Sequence, residues 1–144
     1  MEYLSNSVSD TENLGMKLGK LLKPGEVVAL DGDLGAGKTQ FTRGITMGLG
    51  LDYSEVCSPT FTIVNEYVEP SSCIPLFHFD TYRLSGVDDF LASGLDEYFY
   101  RDGVCVIEWS SIIEEILPES TILVTITGVG DTRNIVIRDP EGRL

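Results

Sequence analysis

Eight consecutive residues, Gly32-Asp33-Leu34-Gly35-Ala36-Gly37-Lys38-Thr39, carry the clearest chemistry in the chain. They fit G-x-x-x-x-G-K-[ST], the pattern of a phosphate-binding loop. Glycines let a backbone wrap closely enough for its N–H groups to cradle phosphate oxygens. On this reading Lys38, on an exposed loop, reaches the β- and γ-phosphates, and the Thr39 hydroxyl ligates Mg²⁺. Gly32, Asp33, Gly35, Ala36 and Gly37 form the cradle. Gln40 then belongs to a helix whose positive dipole end faces the same phosphates. The plainer alternative is a glycine-rich turn that binds nothing.

Other residue types suit the same chemistry. An acid at the C-terminal end of an apolar strand can serve the Mg²⁺ side of a phosphate-loop site. Residues 74–79 read as such a strand and run into Asp80; residues 104–109 read as another, ending in Glu108 and Trp109. Asp80 is either a turn cap or a metal-side carboxylate, and Glu108 is a second candidate. Lys38, Asp80 and Glu108 are therefore the candidate catalytic residues, and Thr39, Asp80 and Glu108 the candidate metal side. Trp109 is either core or a border of the ligand crevice. His78 is the only histidine, which favours a packed or hydrogen-bonded imidazole over a metal ligand.

Between these motifs lies Ser58-Pro59-Thr60-Phe61-Thr62. Pro59 rules out a central strand there and fixes a turn. Two readings stay open. One is an ordinary capped turn with Phe61 in the core. The other is a switch loop in which Thr60 and its neighbours meet the γ-phosphate and Phe61 anchors a partner.

These residues need elements to position them. Residues 27–30, VVAL, read as a buried parallel strand entering the loop. Residues 40–49 read as the helix leaving it, with Phe41, Ile45 and Leu49 four apart on one face. Strand, glycine loop, helix is the arrangement the motif requires. Upstream, residues 1–9 are polar and expected to be loose. Asp10 or Ser9 caps a first helix carrying Leu14, Leu18, Leu21 and Leu22, and Pro24-Gly25 stops it. Downstream, residues 61–68 pair as a strand with residues 74–79. Residues 88–95 and 111–117 read as short helices, and residues 121–127 and 134–138 as two last strands joined by a glycine turn. The expected fold is α/β, a three-layer P-loop NTPase sandwich around a mixed, mainly parallel sheet, in one domain over residues 1–144.

Composition narrows the function classes. The net charge is −13, from 10 Lys plus Arg against 23 Asp plus Glu. That surface repels a phosphodiester backbone, so the chain is not expected to hold nucleic acid by itself, and a basic protein partner suits it better. No apolar run is long enough to span a membrane, and the N-terminal residues lack the pattern of a secretory signal. Cys57, Cys73 and Cys105 are odd in number and widely spaced, which points to reduced thiols in a cytosolic protein.

The motifs taken together resemble the TsaE family (formerly YjeE), small bacterial ATPases of tRNA threonylcarbamoyladenosine biosynthesis. The resemblance rests on GDLGAGKT at 32–39, SPTF at 58–61, HFDTYRL at 78–84 and EW at 108–109, in an order and spacing that cover most of the chain. Where the family usually continues with Pro-Glu, this chain has Ser110-Ser111. The resemblance implies a cytoplasmic ATPase, weak alone, that binds ATP and Mg²⁺. It implies work with a protein complex of TsaD- and TsaB-type subunits that modifies tRNAs reading codons beginning with A, with tRNA met only indirectly. It also implies that Thr39 and Glu108 sit on Mg²⁺ with Asp80 close by, and that Thr11 and Arg133 border the nucleotide. By its own position Thr11 reads only as a residue at the start of a helix.

Two rival functions use the same loop. A small-molecule kinase usually needs several arginines to close over the transferring group; only Arg43, Arg83 and Arg101 lie in the middle of the chain. A GTP-driven switch needs Asn-Lys-x-Asp, which is absent.

Overall fold

The computed structural model describes the chain except for Leu34, Ser58, residues 60–62, residues 70–73 and Val129. A seven-stranded sheet runs through the molecule: β1 (Glu2–Ser5), β2 (Val27–Gly32), β3 (Val64–Tyr67), β4 (Leu76–Asp80), β5 (Val104–Glu108), β6 (Ile122–Thr127) and β7 (Arg133–Arg138). Their spatial order is β1-β7-β6-β2-β5-β4-β3. The central four, β6-β2-β5-β4, are parallel, and antiparallel strands flank them on both sides. Parallel strands buried on both faces read as near-continuous apolar runs, and VVAL in β2 and VCVI in β5 do so.

Helices α1 (Val8–Leu21) and α2 (Lys38–Gly48) cover one face. There Leu14, Leu18, Phe41 and Ile45 pack on Val28, Leu30, Val106 and Val124. Alternate residues of the same strands face the other way. Phe77, Phe79, Cys105 and Ile107 pack against Phe90 of α3 (Val87–Ala92), Leu95 and Ile113. Leu95 and Ile113 belong to two 3-10 helices, Leu95–Tyr100 and Ser110–Ile116. The helix expected at residues 111–117 is thus a 3-10 segment with a kink at Ile113. Beyond β2 this second face is open, and β6 alternates buried and exposed residues along its length.

α1 and α2 meet at four glycines. A Cβ on Gly15 would run into the carbonyl oxygen of Phe41, and one on Gly19 into that of Ile45. Reciprocally, a Cβ on Gly44 would strike the carbonyl of Glu12, and one on Gly48 that of Met16. The helices therefore touch backbone to backbone.

The expectation of loose N-terminal residues is corrected. Residues 2–5 pair with β7 in the register Glu2↔Val136 to Ser5↔Arg133. Tyr3 packs against the core, while Leu4 is exposed. The cap of α1 is Ser7, not Asp10 or Ser9. Ser7 Oγ accepts from Asp10 N at 3.0 Å, and Asp10 Oδ2 accepts from Asn6 N at 3.0 Å. Ser7 Oγ thereby satisfies one donor that the helix N-terminus leaves open, and Asp10 reaches back to the residue before the cap.

Candidate functional site

β2, β5 and β4 end side by side. Register sets Leu30 beside Glu108 and Glu108 beside Asp80, so the strand entering the glycine loop and both carboxylates stand in a row. Laterally paired residues point to one face of a sheet. That face is the one covered by α2, which begins at Lys38 as the chain leaves the loop.

The loop needs its glycines where the backbone turns left-handed, at Gly35 (φ 79°) and Gly37 (φ 107°). Ala36 N–H donates back to Asp33 O at 3.0 Å, and Gly32 ends β2. Arg133 braces the loop from outside. Its Nε donates to Ala36 O at 2.8 Å and its Nη2 to Gly35 O at 3.1 Å. Nη1 donates to Thr132 O at 3.1 Å and also to Gly130 O. In a planar trans peptide the C=O and N–H point opposite ways. Bonding the Ala36 carbonyl outward therefore turns the Gly37 N–H of the same peptide away from Arg133, while the Ala36 N–H closes the turn onto Asp33 O.

Lys38 is not on an exposed loop, as expected, but 7% exposed. Its Nζ lies 3.5 Å from Glu108 Oε1 and 5.0 Å from the centroid of the Trp109 ring. A buried ammonium needs a partner of opposite charge, and Glu108, 3% exposed, is that partner. Glu108 Oε2 meets His78 Nε2 at 2.5 Å. An ionised carboxylate only accepts, so Nε2 is the donor. Burial pushes the Glu108 carboxyl pKa up, but the hydrogen bond and charge of His78, then Lys38, outweigh it and hold it below the usual carboxylate value. His78 Nδ1 is buried with no partner among the described residues.

Asp80 keeps a structural duty as well: its Oδ1 accepts from Tyr82 N at 3.0 Å. Thr81, the next residue, donates from its hydroxyl to Trp109 O at 2.7 Å and to Glu108 O at 3.0 Å. Trp109 is left-handed, φ 60° and ψ 39°, a conformation that costs a non-glycine residue about 1–2 kcal/mol. Its ring packs on Tyr82 at 4.8 Å between centroids. Ser110, standing where the resemblance expects Pro, is buried and donates to Asp31 Oδ1 at 3.4 Å.

Gly37, Lys38, Thr39, Asp80, Glu108 and Trp109 line one cavity of about 560 Å³. A smaller one of about 210 Å³ lies on the other side of the loop, lined by Thr11, Gly35, Gln40, Asp131 and Arg133. The Thr11 methyl sits 3.8 Å from where a Gly37 Cβ would be, and the Thr11 hydroxyl bonds Ser5 Oγ at 2.7 Å. Every described candidate for the catalytic, nucleotide-binding or metal side is thus brought to the loop or its two flanks. Thr60 and Phe61, with the switch-loop reading built on them, lie outside the described residues. Sequence reasoning missed Thr81 and the link from His78 to Glu108. Alternation along LFHFD, which puts His78 and Asp80 on one face, was the available signal.

Among the described residues no three His, Cys, Asp or Glu side chains come together as a metal site. No helix among them is long and apolar enough to cross a membrane.

Known proteins resemble this chain over most of its length. The family model described as "Threonylcarbamoyl adenosine biosynthesis protein TsaE" matches residues 5–135. The tRNA threonylcarbamoyladenosine biosynthesis protein TsaE of Bacillus subtilis is 45% identical over 131 residues, covering 91% of this chain and 80% of that protein. Its counterpart in Treponema pallidum is 41% identical over 131 residues, covering 91% and 94%. The crystal structure of Bacillus subtilis YdiB superposes with a TM-score of 0.76 at 36% identity, covering 96% of this chain and 84% of that one. With a match of that extent, and the glycine loop, Lys38, Glu108 and Asp80 gathered at one sheet edge, the chain belongs to the TsaE family.

Proposed function

We propose that this protein is a P-loop ATPase acting in threonylcarbamoyl-adenosine modification of tRNAs that read codons beginning with A. One observation carries the reading: Lys38 and Glu108 face each other at 3.5 Å, on a cavity that Thr39 and Asp80 also line. Its fold is then the three-layer P-loop sandwich, one domain over residues 1–144, working in the cytoplasm.

The residues present fit Mg²⁺. Thr39 offers a hydroxyl, and Glu108 and Asp80 offer carboxylates, all hard oxygen donors. Mg²⁺ takes many of its ligands from phosphates and water, so a few protein oxygens suffice. Thr39 and Glu108 would hold the ion, with Asp80 beside it, and Mg²⁺ bound there would neutralise phosphate charge. Lys38 binds phosphate oxygens, and Gly32, Asp33, Gly35, Ala36, Gly37 and Gln40 set the loop around them. Thr11 and Arg133 border the nucleotide on the side of the smaller cavity. Trp109 borders it on the side of the larger one.

Hydrolysis supports turnover of a partner complex of TsaD- and TsaB-type subunits, which carries out transfer to tRNA. A chain of net charge −13 meets tRNA only through such a partner. The kinase alternative finds little support: Arg43 pairs with Glu12, and Arg101 pairs with Glu66 and packs on Phe77 and Tyr98. Of the three arginines only Arg83 lines the larger cavity. The test is release of free phosphate from ATP, with and without the partner complex. Phosphate released without an acceptor, and faster with the complex, supports the reading. ATP that stays intact under both conditions removes it.

A further inference from the structure

We propose that Thr81 is a positioning residue: it holds the exit turn of β5 so that Trp109 stays beside Lys38. Thr81 follows Asp80 at the end of β4 and is fully buried, at 0% exposure. Both of its donors are directed at that one turn. Its N–H donates to Glu108 O at 3.2 Å, and its single hydroxyl proton is shared between Glu108 O at 3.0 Å and Trp109 O at 2.7 Å. A threonine kept only to fill space would have no such geometry, because valine has the same shape.

The turn needs holding. Trp109 and Asp102 are the non-glycine residues with positive φ among those described, and such conformations persist where surroundings over-determine them. Thr81 fixes the Trp109 main chain while Tyr82 packs on its ring. The indole is thereby set 5.0 Å from Lys38 Nζ, and Glu108, one residue earlier, keeps its carboxylate toward Lys38. Freed from the Thr81 hydroxyl, the turn can relax toward ordinary φ and carry the indole away.

The chain has one tryptophan, so intrinsic indole emission reports on this turn alone. Thr81→Val keeps the shape and removes the donor. In the folded protein without nucleotide, its emission is expected to shift to the red and its acrylamide quenching to rise. Thr81→Ser, which keeps the hydroxyl, is expected to return both toward wild type. A Thr81→Val protein with wild-type emission and quenching, whatever its melting temperature, assigns Thr81 a packing role and overturns the inference. Should Thr81→Val not fold, Thr81→Ala is read by the same criteria. The second readout rests on the ATPase reading: kcat for ATP hydrolysis is expected to fall about tenfold in Thr81→Val, the usual scale for losing a supporting hydrogen bond. If wild type does not hydrolyse ATP, that reading fails, while the emission comparison still decides the role of Thr81.

Discussion

Glu108 is held from both sides, by Lys38 Nζ 3.5 Å from Oε1 and by His78 Nε2 2.5 Å from Oε2. Glu108→Gln keeps the shape and removes the charge. ATP hydrolysis is expected to fall by about 10–100-fold, and the Mg²⁺ concentration needed for half-maximal rate to rise. ATP binding without Mg²⁺ is expected to persist, because Lys38 loses a competitor for the phosphates. Rates measured across a Mg²⁺ titration check this; an unchanged Mg²⁺ dependence removes Glu108 from the metal side.

Lys38→Ala is expected to abolish ATP binding and also to weaken the fold. The side chain is buried, and its loss leaves the Glu108 carboxylate without its ammonium partner, with His78 still bonded to the other oxygen. Losing one partner of a buried charged hydrogen bond costs about 1–3 kcal/mol. Lys38→Met keeps the stem against Trp109 and should lose less. Urea midpoints for the two variants separate lost packing from lost charge, and a Lys38→Ala midpoint equal to wild type contradicts the buried pairing.

Arg133→Lys tests the outer brace of the loop. A guanidinium fork reaches the carbonyls of Gly35, Ala36 and Thr132 together; an ammonium is a point charge and cannot span them. ATP affinity is expected to fall roughly tenfold, about 1.4 kcal/mol. Isothermal titration checks this, and affinity equal to wild type would show that positive charge alone is enough at this position.

Acid should release the C-terminal clamp. Arg143 Nε donates to Asp139 Oδ2 at 2.9 Å, and Nη1 meets Glu26 Oε1 at 2.7 Å. The hydrogen bond from Arg143 holds the Asp139 carboxyl below its usual value, against partial burial. A carboxyl depressed on folding stabilises above its unfolded pKa of about 3.9, and that contribution disappears as pH falls through the lower folded value. The melting-temperature gap between wild type and Arg143→Met should therefore hold steady from about pH 7 to 5 and narrow below about pH 4. A gap that widens in acid contradicts the assignment.

The parallel core and the loop were legible because VVAL, VCVI and GDLGAGKT are local patterns whose meaning does not depend on distant partners. What escaped depends on pairing across the chain. Residues 2–5, EYLS, carry no apolar alternation that would signal a strand, and they become β1 only by meeting β7. Lys38 reads as a loop residue until Glu108 is placed opposite it by the register of β2 with β5. Ser7 and Ser9 are equally good caps by type; the reciprocal bond from Asn6 to Asp10 selects Ser7.

The glycine contact between α1 and α2 has a mechanical meaning. Most helix pairs are separated by interlocking side chains, which can change rotamer and absorb a displacement. Here carbonyls rest where that cushion would be, at Gly15, Gly19, Gly44 and Gly48. The pair is a stiff strut, with the loop at one helix N-terminus and Thr11 near the other. No layer of side chains that could change rotamer lies between α1 and α2 at these four positions, and the bond between Thr11 and Ser5 ties the start of α1 to the edge strand, so loop, helix pair and sheet rim are joined by direct contacts throughout.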